Sequence, residues 1–174
     1  MKNTMAAQAR VSLSPSQGLS PSQGAPGASA NIAALISKSA SRSIKERLRE
    51  AGLKPTRPRV CLSWLLFSKG DRHVTAESLH EEARQSRLFV SLATVYNTLH
   101  QFESAGLVRE VAIFGGKTWF DTTTGPHFHF YNEDGDVLFD IPEGSMTLPE
   151  APPPPEGMEI IGVDVVVRVR QKRD

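Results

Sequence analysis

Two histidines one residue apart, His127 and His129, are the part of this 174-residue sequence best equipped for chemistry. Alternate side chains of an extended strand share a face, so His127-Phe128-His129 presents two imidazoles together and turns Phe128 the other way. That spacing lets two nitrogens meet one metal ion or one haem face. It is equally the pattern of two ordinary polar strand residues. Imidazole is the commonest protein ligand for transition metals, and imidazole with carboxylate suits iron, manganese or zinc. Asp121 and His73, from earlier in the chain, can complete such a set. Two histidines and an aspartate also make the triad of non-haem iron oxygenases. No Gly-rich phosphate loop and no Ser or Cys nucleophile motif accompanies them, and little chain is left for a substrate pocket. The set therefore reads as a binding site and not as an enzyme.

A second set lies on a predicted helix opening at Ser91. Leu92, Val95, Leu99 and Phe102 form an apolar stripe at helical spacing. The opposite face shows Ala93, Thr94, Asn97 and Gln101, which are small or polar, uncharged and able to lie against base edges. A helix entering the major groove reads bases near its N-terminal end, while neighbouring cations hold phosphates. Contact with a thymine methyl suits Ala93 or Thr94, and Asn97 can pair with adenine. Tyr96 can bond a phosphate or pack on a thymine methyl. Lys54, Arg57 and Arg59 can reach phosphates or the minor groove, and Lys117 follows a predicted wing tip. With the cap residue Ser91, these are the candidate DNA contacts.

The elements that must position both sets follow from the pattern. Residues 1–43 are rich in Ser, Pro, Gly, Gln and Ala, and repeat Leu-Ser-Pro-Ser-Gln-Gly at 13–18 and 19–24. They cannot bury enough apolar surface to offset chain entropy, so a disordered tail is expected, with at most a weak helix around Ile32 to Ile36. Ser43 is then a cap for a helix ended by Gly52, and Thr56-Arg57-Pro58 opens a second. Thr75 caps a third and Ser91 a fourth, ended by Gly106. Strands at 107–113 and 117–121 flank a turn at Gly115-Gly116. That order is a winged helix-turn-helix DNA-binding domain over residues 44–122.

Residues 123–174 read as β-rich. Strands at 127–131 and 137–141 flank Asp134-Gly135, a strong hairpin signal. Four prolines, Pro152 to Pro155, mark a loop, and a last strand covers 160–170. A hairpin plus one strand is marginal alone, so a second copy is expected to complete the sheet. The expected fold is α+β, a winged helix-turn-helix domain followed by a small β-rich dimerisation and ligand-sensing domain.

The net charge of +1 conceals an asymmetry: +4 over residues 1–43, +3 over 44–110 and −6 over 111–174. A basic front and an acidic back suit a DNA-facing module joined to one that is not. The single cysteine, Cys61, excludes an intrachain disulfide and leaves no Cys-x-x-Cys zinc pair. No apolar run is long enough to cross a bilayer and no secretory signal is visible, so a cytoplasmic protein is expected.

The segments Leu-Arg-Glu-Ala-Gly-Leu-Lys-Pro-Thr-Arg-Pro-Arg (48–59), His-Val-Thr-Ala-Glu-Ser-Leu-His (73–80), Ser-Leu-Ala-Thr-Val-Tyr-Asn-Thr-Leu (91–99) and Ala-Gly-Leu-Val (105–108) resemble those of the ferric uptake regulator family. The stretches 126–131, 137–142, 154–160 and 163–168 look like its iron response regulator branch. The resemblance implies a homodimeric transcription regulator of iron or haem homeostasis that binds a near-palindromic operator in double-stranded DNA. His73, Asp121, His127 and His129 match the family's regulatory site between two domains, with aspartate in place of the usual glutamate. Asn97 departs from the family's usual arginine, which implies an altered operator preference. Asn132 and Gly135 stand where structural zinc cysteines occur, and Pro126, Phe128 and Val163 where a second metal site needs polar ligands, so neither site is expected. In the iron response branch the ligand is haem, bound at the His127/His129 pair and releasing the operator. Direct Fe2+ or Mn2+ binding, making the protein a metal-responsive or peroxide sensor of the family, is the alternative. Cys61 precedes Leu62 where some members carry a Cys-Pro haem motif, and it reads as packed core.

Overall fold

The computed structural model describes Ile32 and residues 36–113, 117–147, 151–161 and 163–172. The repeats at 13–24 and the expected turn at Gly115-Gly116 lie outside the described residues. Four helices come first: α1 (Lys38–Glu50), α2 (Arg57–Phe67), α3 (Ala76–Gln85) and α4 (Leu92–Ser104). A short strand, β1 (His73–Thr75), sits between α2 and α3. The strands β2 (Arg109–Ala112) and β3 (Thr118–Asp121) follow, then β4 (His129–Asn132), β5 (Val137–Asp140) and β6 (Val166–Val169).

The helix caps work as the side chains dictate. The Thr75 hydroxyl accepts from the Ser78 amide at 3.1 Å, and the Ser78 hydroxyl accepts from the Thr75 amide at 3.0 Å. This reciprocal capping box satisfies two otherwise orphaned donors at the start of α3. The Ser91 hydroxyl accepts from the Thr94 amide at 3.1 Å and opens α4. The first helix begins earlier than the expected cap at Ser43: Ser37 caps it, accepting from the Ala40 amide. Ile32 and Ile36 are buried in the main core, and the Ile32 amide donates to the Ser86 carbonyl at 3.1 Å. These two isoleucines are anchored by tertiary packing that no local pattern reveals.

That core joins Leu48, Leu62, Leu66, Leu79, Leu99 and Phe102 with Phe120 of β3, so the helices and the first sheet form one packed unit. The sheet has order β1-β3-β2, all antiparallel. His73 opens β1, a strand the sequence pattern does not predict, which pairs with β3 in the register His73↔Asp121. A three-residue strand is too short for its own alternation to show in sequence. The second sheet has order β5-β4-β6, with β4–β5 antiparallel and β4–β6 parallel. Its strands are shorter than expected from the pattern, β4 starting at His129 and β6 at Val166. A smaller cluster of Val111, Trp119 and Leu138, with Tyr131 and Val166 against it, packs the two sheets together.

Candidate metal centre and nucleic-acid interface

Strand registers bring the ionisable residues together. In an antiparallel pair, directly opposed residues project side by side. Register places His73 opposite Asp121 in the first sheet and His129 opposite Asp140 in the second. His127, two residues before β4, supplies the fifth group. One ligand atom from each of these five residues lies within 4.8 Å of all the others. His73 Nε2 is 2.9 Å from Asp140 Oδ1 and 3.7 Å from Asp121 Oδ1. His127 Nε2 is 2.9 Å from Asp121 Oδ2 and 3.2 Å from Asp140 Oδ1. His129 Nε2 lies 3.4 Å from Asp121 Oδ2. Asp121 and His129 are buried, whereas the Asp140 side chain is 45% exposed and forms the solvent edge of the cluster.

The surroundings set the protonation of this group. The Gly125 carbonyl lies 2.8 Å from His127 Nδ1. Donation from Nδ1 to that carbonyl leaves the Nε2 lone pair free to face the cluster, as in an oriented metal ligand. Burial pushes His73 below the usual imidazole range, against the pull of Asp121 and Asp140, which favours its neutral, ligating form. For Asp121, burial raises the carboxyl pKa. Hydrogen bonding to His129, the Thr123 amide at 2.8 Å and the charges of His73 and His127 together outweigh it and keep the group low. The Nε2 atoms of His73 and His127 are buried without a hydrogen-bond partner of acceptable geometry. Buried polar atoms left unpaired are costly, and a cation held among these donors would remove that cost. Three imidazoles and two carboxylates converging on one point suit Fe2+, Mn2+ or Zn2+.

The four sequence-selected residues are therefore brought together, and Asp140 is the member that sequence reasoning missed. The segment Val137-Leu-Phe-Asp140 was recognised as a strand, but its partner register was not legible. A hairpin count back from Asp134-Gly135 would have set Asp140 opposite His129.

The candidate DNA contacts fall into two groups. Ala93 and Asn97 are exposed on α4, with Thr94 and Tyr96 half-buried beside them. The Tyr96 hydroxyl donates to Glu77 Oε1 at 2.6 Å, and this bond holds the Glu77 carboxyl below its usual range. Ser91 spends its hydroxyl on the cap. Lys54 and Arg57 are exposed on the loop and first turn before α2. Arg59 is engaged within the protein: its Nε and Nη2 donate to Gln101 Oε1 at 3.0 and 2.7 Å, and its Nη1 to the Lys54 carbonyl at 2.8 Å. It braces α2 against α4. Lys117 is paired with Asp136 of the second sheet's hairpin, which also accepts from the Tyr131 hydroxyl at 3.0 Å.

The sequence profile of the ferric uptake regulator family matches residues 50–162. This chain belongs to that family. The ferric uptake regulation protein of Pseudomonas aeruginosa is 34% identical over 128 residues, covering 72% of this chain and 96% of the relative. That of Pseudomonas fluorescens is 45% identical over 80 residues, covering 46% of this chain and 65% of the relative. In three dimensions the chain is similar to the Pseudomonas aeruginosa ferric uptake regulator solved with manganese. That match has a TM-score of 0.55 and 31% identity, and covers 75% of this chain and 98% of the other. The Vibrio cholerae ferric uptake regulator shares the fold at a TM-score of 0.60 and 24% identity, over 73% and 98%. Ferric uptake regulators are transcription regulators and not enzymes, and the α+β fold of this chain is theirs. Among the described residues no helix is long and apolar enough to cross a membrane.

Proposed function

We propose that this member of the ferric uptake regulator family is a dimeric, sequence-specific DNA-binding regulator. Its operator affinity is set by Fe2+ or Mn2+ held by His73, Asp121, His127, His129 and Asp140. The observation that carries this reading is the convergence of five donors from two sheets. His73 and Asp121 belong to the sheet that packs on the helices, His129 and Asp140 to the second sheet, and His127 to the segment just before β4. Phe120, next to Asp121, packs its ring edge-on against His100 of α4 at 5.5 Å, so the site has a short mechanical route to the reading helix. A bound divalent ion supplies positive charge that ties both carboxylates to one point. The residues do the rest: His73 and Asp121 fix the first sheet relative to His127, His129 and Asp140, and with it the aim of α4. A coupling of about 1–3 kcal/mol would change operator affinity about 5- to 150-fold. The manganese in the Pseudomonas aeruginosa structure supports this choice of ligand.

Base contacts are assigned to Ala93, Thr94, Tyr96 and Asn97, and backbone contacts to Lys54 and Arg57, joined by Arg59, Ser91 and Lys117 where DNA replaces their internal partners. We assign residues 44–122 to the DNA-binding domain and 123–174 to dimerisation and sensing. Residues 1–43 form an N-terminal tail whose last residues supply the opening turns of α1. A cytoplasmic location follows from the role.

A second reading keeps the site and changes the ligand to haem, as in the iron response branch, with operator binding under low iron and release on haem binding. It draws on a cavity of about 550 Å³ against His127 and Asp140, walled by Phe128, Ile141, Pro142 and Met146. One titration separates the two. The protein is bound to a fluorescent duplex selected by it from random sequence, and Mn2+, Fe2+ or haemin is added. A change in affinity with the free ions that is lost in Asp121→Asn supports the metal reading. Release by haemin alone, lost when His127 and His129 are replaced by Ala, supports haem. A duplex affinity indifferent to all three would sink both.

A further inference from the structure

We propose that the exposed face of α1 is a second, sequence-independent DNA contact that grips the phosphate backbone flanking the site read by α4. The proposal rests on the DNA-binding reading above and adds to it a surface assigned to no role so far. Lys38, Arg42, Lys45 and Arg49 are all exposed. At 3.6 residues per turn they fall within an arc of about 60°, and their rise of 1.5 Å per residue spreads them over about 17 Å. That is about half of a DNA helical turn. The buried side of the helix is distinct: Leu48 is in the core, and Ala40 and Ile44 pack against it. Arg47 turns that way too, with its guanidinium 3.9 Å over the Phe67 ring.

Among the described residues none of the four stripe cations is in an ion pair, whereas Lys69, Arg72, Arg84, Arg109, Lys117 and Arg168 all are. Their charge is therefore unspent within the fold. Glu46 is the one acidic side chain grouped with them, sharing a shallow surface depression with Arg42, Lys45 and Arg49. The stripe is continuous with the reading head. Lys45 and Arg57 line a common cavity, and Arg59, one turn edge further, is bonded to Gln101 of α4. A cationic face that runs from the reading helix along a neighbouring helix fits a duplex, whose phosphates continue past the bases being read. The stripe also lies N-terminal to residues 50–162, the segment matched by the family.

The test uses the full-length protein, a duplex carrying the selected site, and the same duplex extended by roughly 10 bp, one helical turn, at each end. Each phosphate contact contributes about 0.9 to the slope of log affinity against log salt. Replacing Lys38, Arg42, Lys45 and Arg49 by Ala, which keeps helix propensity, should lower that slope by about 2–4 on the extended duplex. The preference for selected over scrambled sequence should stay unchanged. On the short duplex the loss should be smaller. A second variant, Glu46→Lys, should tighten binding to the extended duplex about 2- to 10-fold and steepen the slope, a gain that misfolding cannot produce. Equal slopes for wild type and both variants would overturn the proposal while leaving the DNA-binding reading intact. Salt-insensitive or absent duplex binding by the wild type would overturn the reading itself, and the stripe's role with it.

Discussion

At the residue scale, the cluster depends on three imidazoles that turn Nε2 inward toward the carboxylates. His127 shows this plainly, with Nδ1 against the Gly125 carbonyl and Nε2 facing two carboxylates. Asp140 is the most informative position, because it is half exposed and contributes little to packing. Asp140→Ala should weaken Mn2+ binding about 10- to 100-fold, the range seen when groups supporting a metal site are removed. It should leave the melting temperature of the metal-free protein nearly unchanged. Calorimetric titration with Mn2+, beside a thermal melt, checks both halves. Unchanged affinity would remove Asp140 from the site and return it to the surface. Asn97 is exposed on α4 with Ala93 and Gln101, so under the proposed function its replacement should change base choice and leave folding intact.

At the element scale, the short strand β1 is what carries His73 to Asp121, and it is held from outside the sheet. Arg72, just before it, donates from Nη2 to Glu82 Oε2 of α3 at 2.9 Å, and Lys69 pairs with the same carboxylate. Burial raises the Glu82 pKa, but the hydrogen bonds and charges of Arg72 and Lys69 outweigh it and set the group below its usual range. A carboxyl lowered in the folded state stabilises that state above its ordinary pKa, and the stabilisation is lost as pH falls through the depressed value. Glu82→Gln should therefore cost about 1–2 kcal/mol at pH 7. That corresponds to a melting temperature lower by about 2–8 °C for a chain of this size. The difference should shrink as pH is taken below the ordinary carboxylate range. A difference independent of pH across that window would show that the charge is not what matters.

The four helices and the two hairpins were legible because each carries its own local instructions. Thr75 and Ser91 cap where their side chains can reach the third amide, and Asp134-Gly135 turns where a tight hairpin needs it. β1 was not legible, since three residues hold no alternation and their pairing partner lies more than forty residues on. The start of α1 was missed for a related reason: Ile32 and Ile36 look like part of a polar tail until α3 and its end provide something to pack against.

At the scale of the whole molecule, the second sheet is completed on one side only. Leu138 faces the wing cluster, while Val137 and Phe139 on the same strand are 40% and 52% exposed. Val163 and Val169 extend that apolar exposure near β6. Exposed apolar side chains gathered on one small sheet suit an association surface, and the proposed dimer would supply their cover. Phe139→Asp should convert the protein from a dimer to a monomer of 19.0 kDa in sedimentation equilibrium. It should also reduce operator affinity, because two half-sites can then no longer be held together. A dimer that survives this change would place the interface elsewhere.

The sequence by itself determined the class of the fold, the helix Leu92–Ser104 that is proposed to read DNA, and four of the five residues in the cluster, because helix caps, turn residues and periodicity act over a few residues. Only the tertiary structure decided which carboxylate completes the cluster, that Arg59 braces α2 against α4, and that Lys45 of α1 lines a cavity with Arg57. Those outcomes depend on strand register and helix packing between residues far apart in the chain. No local pattern can encode a distance that exists only once the core has closed.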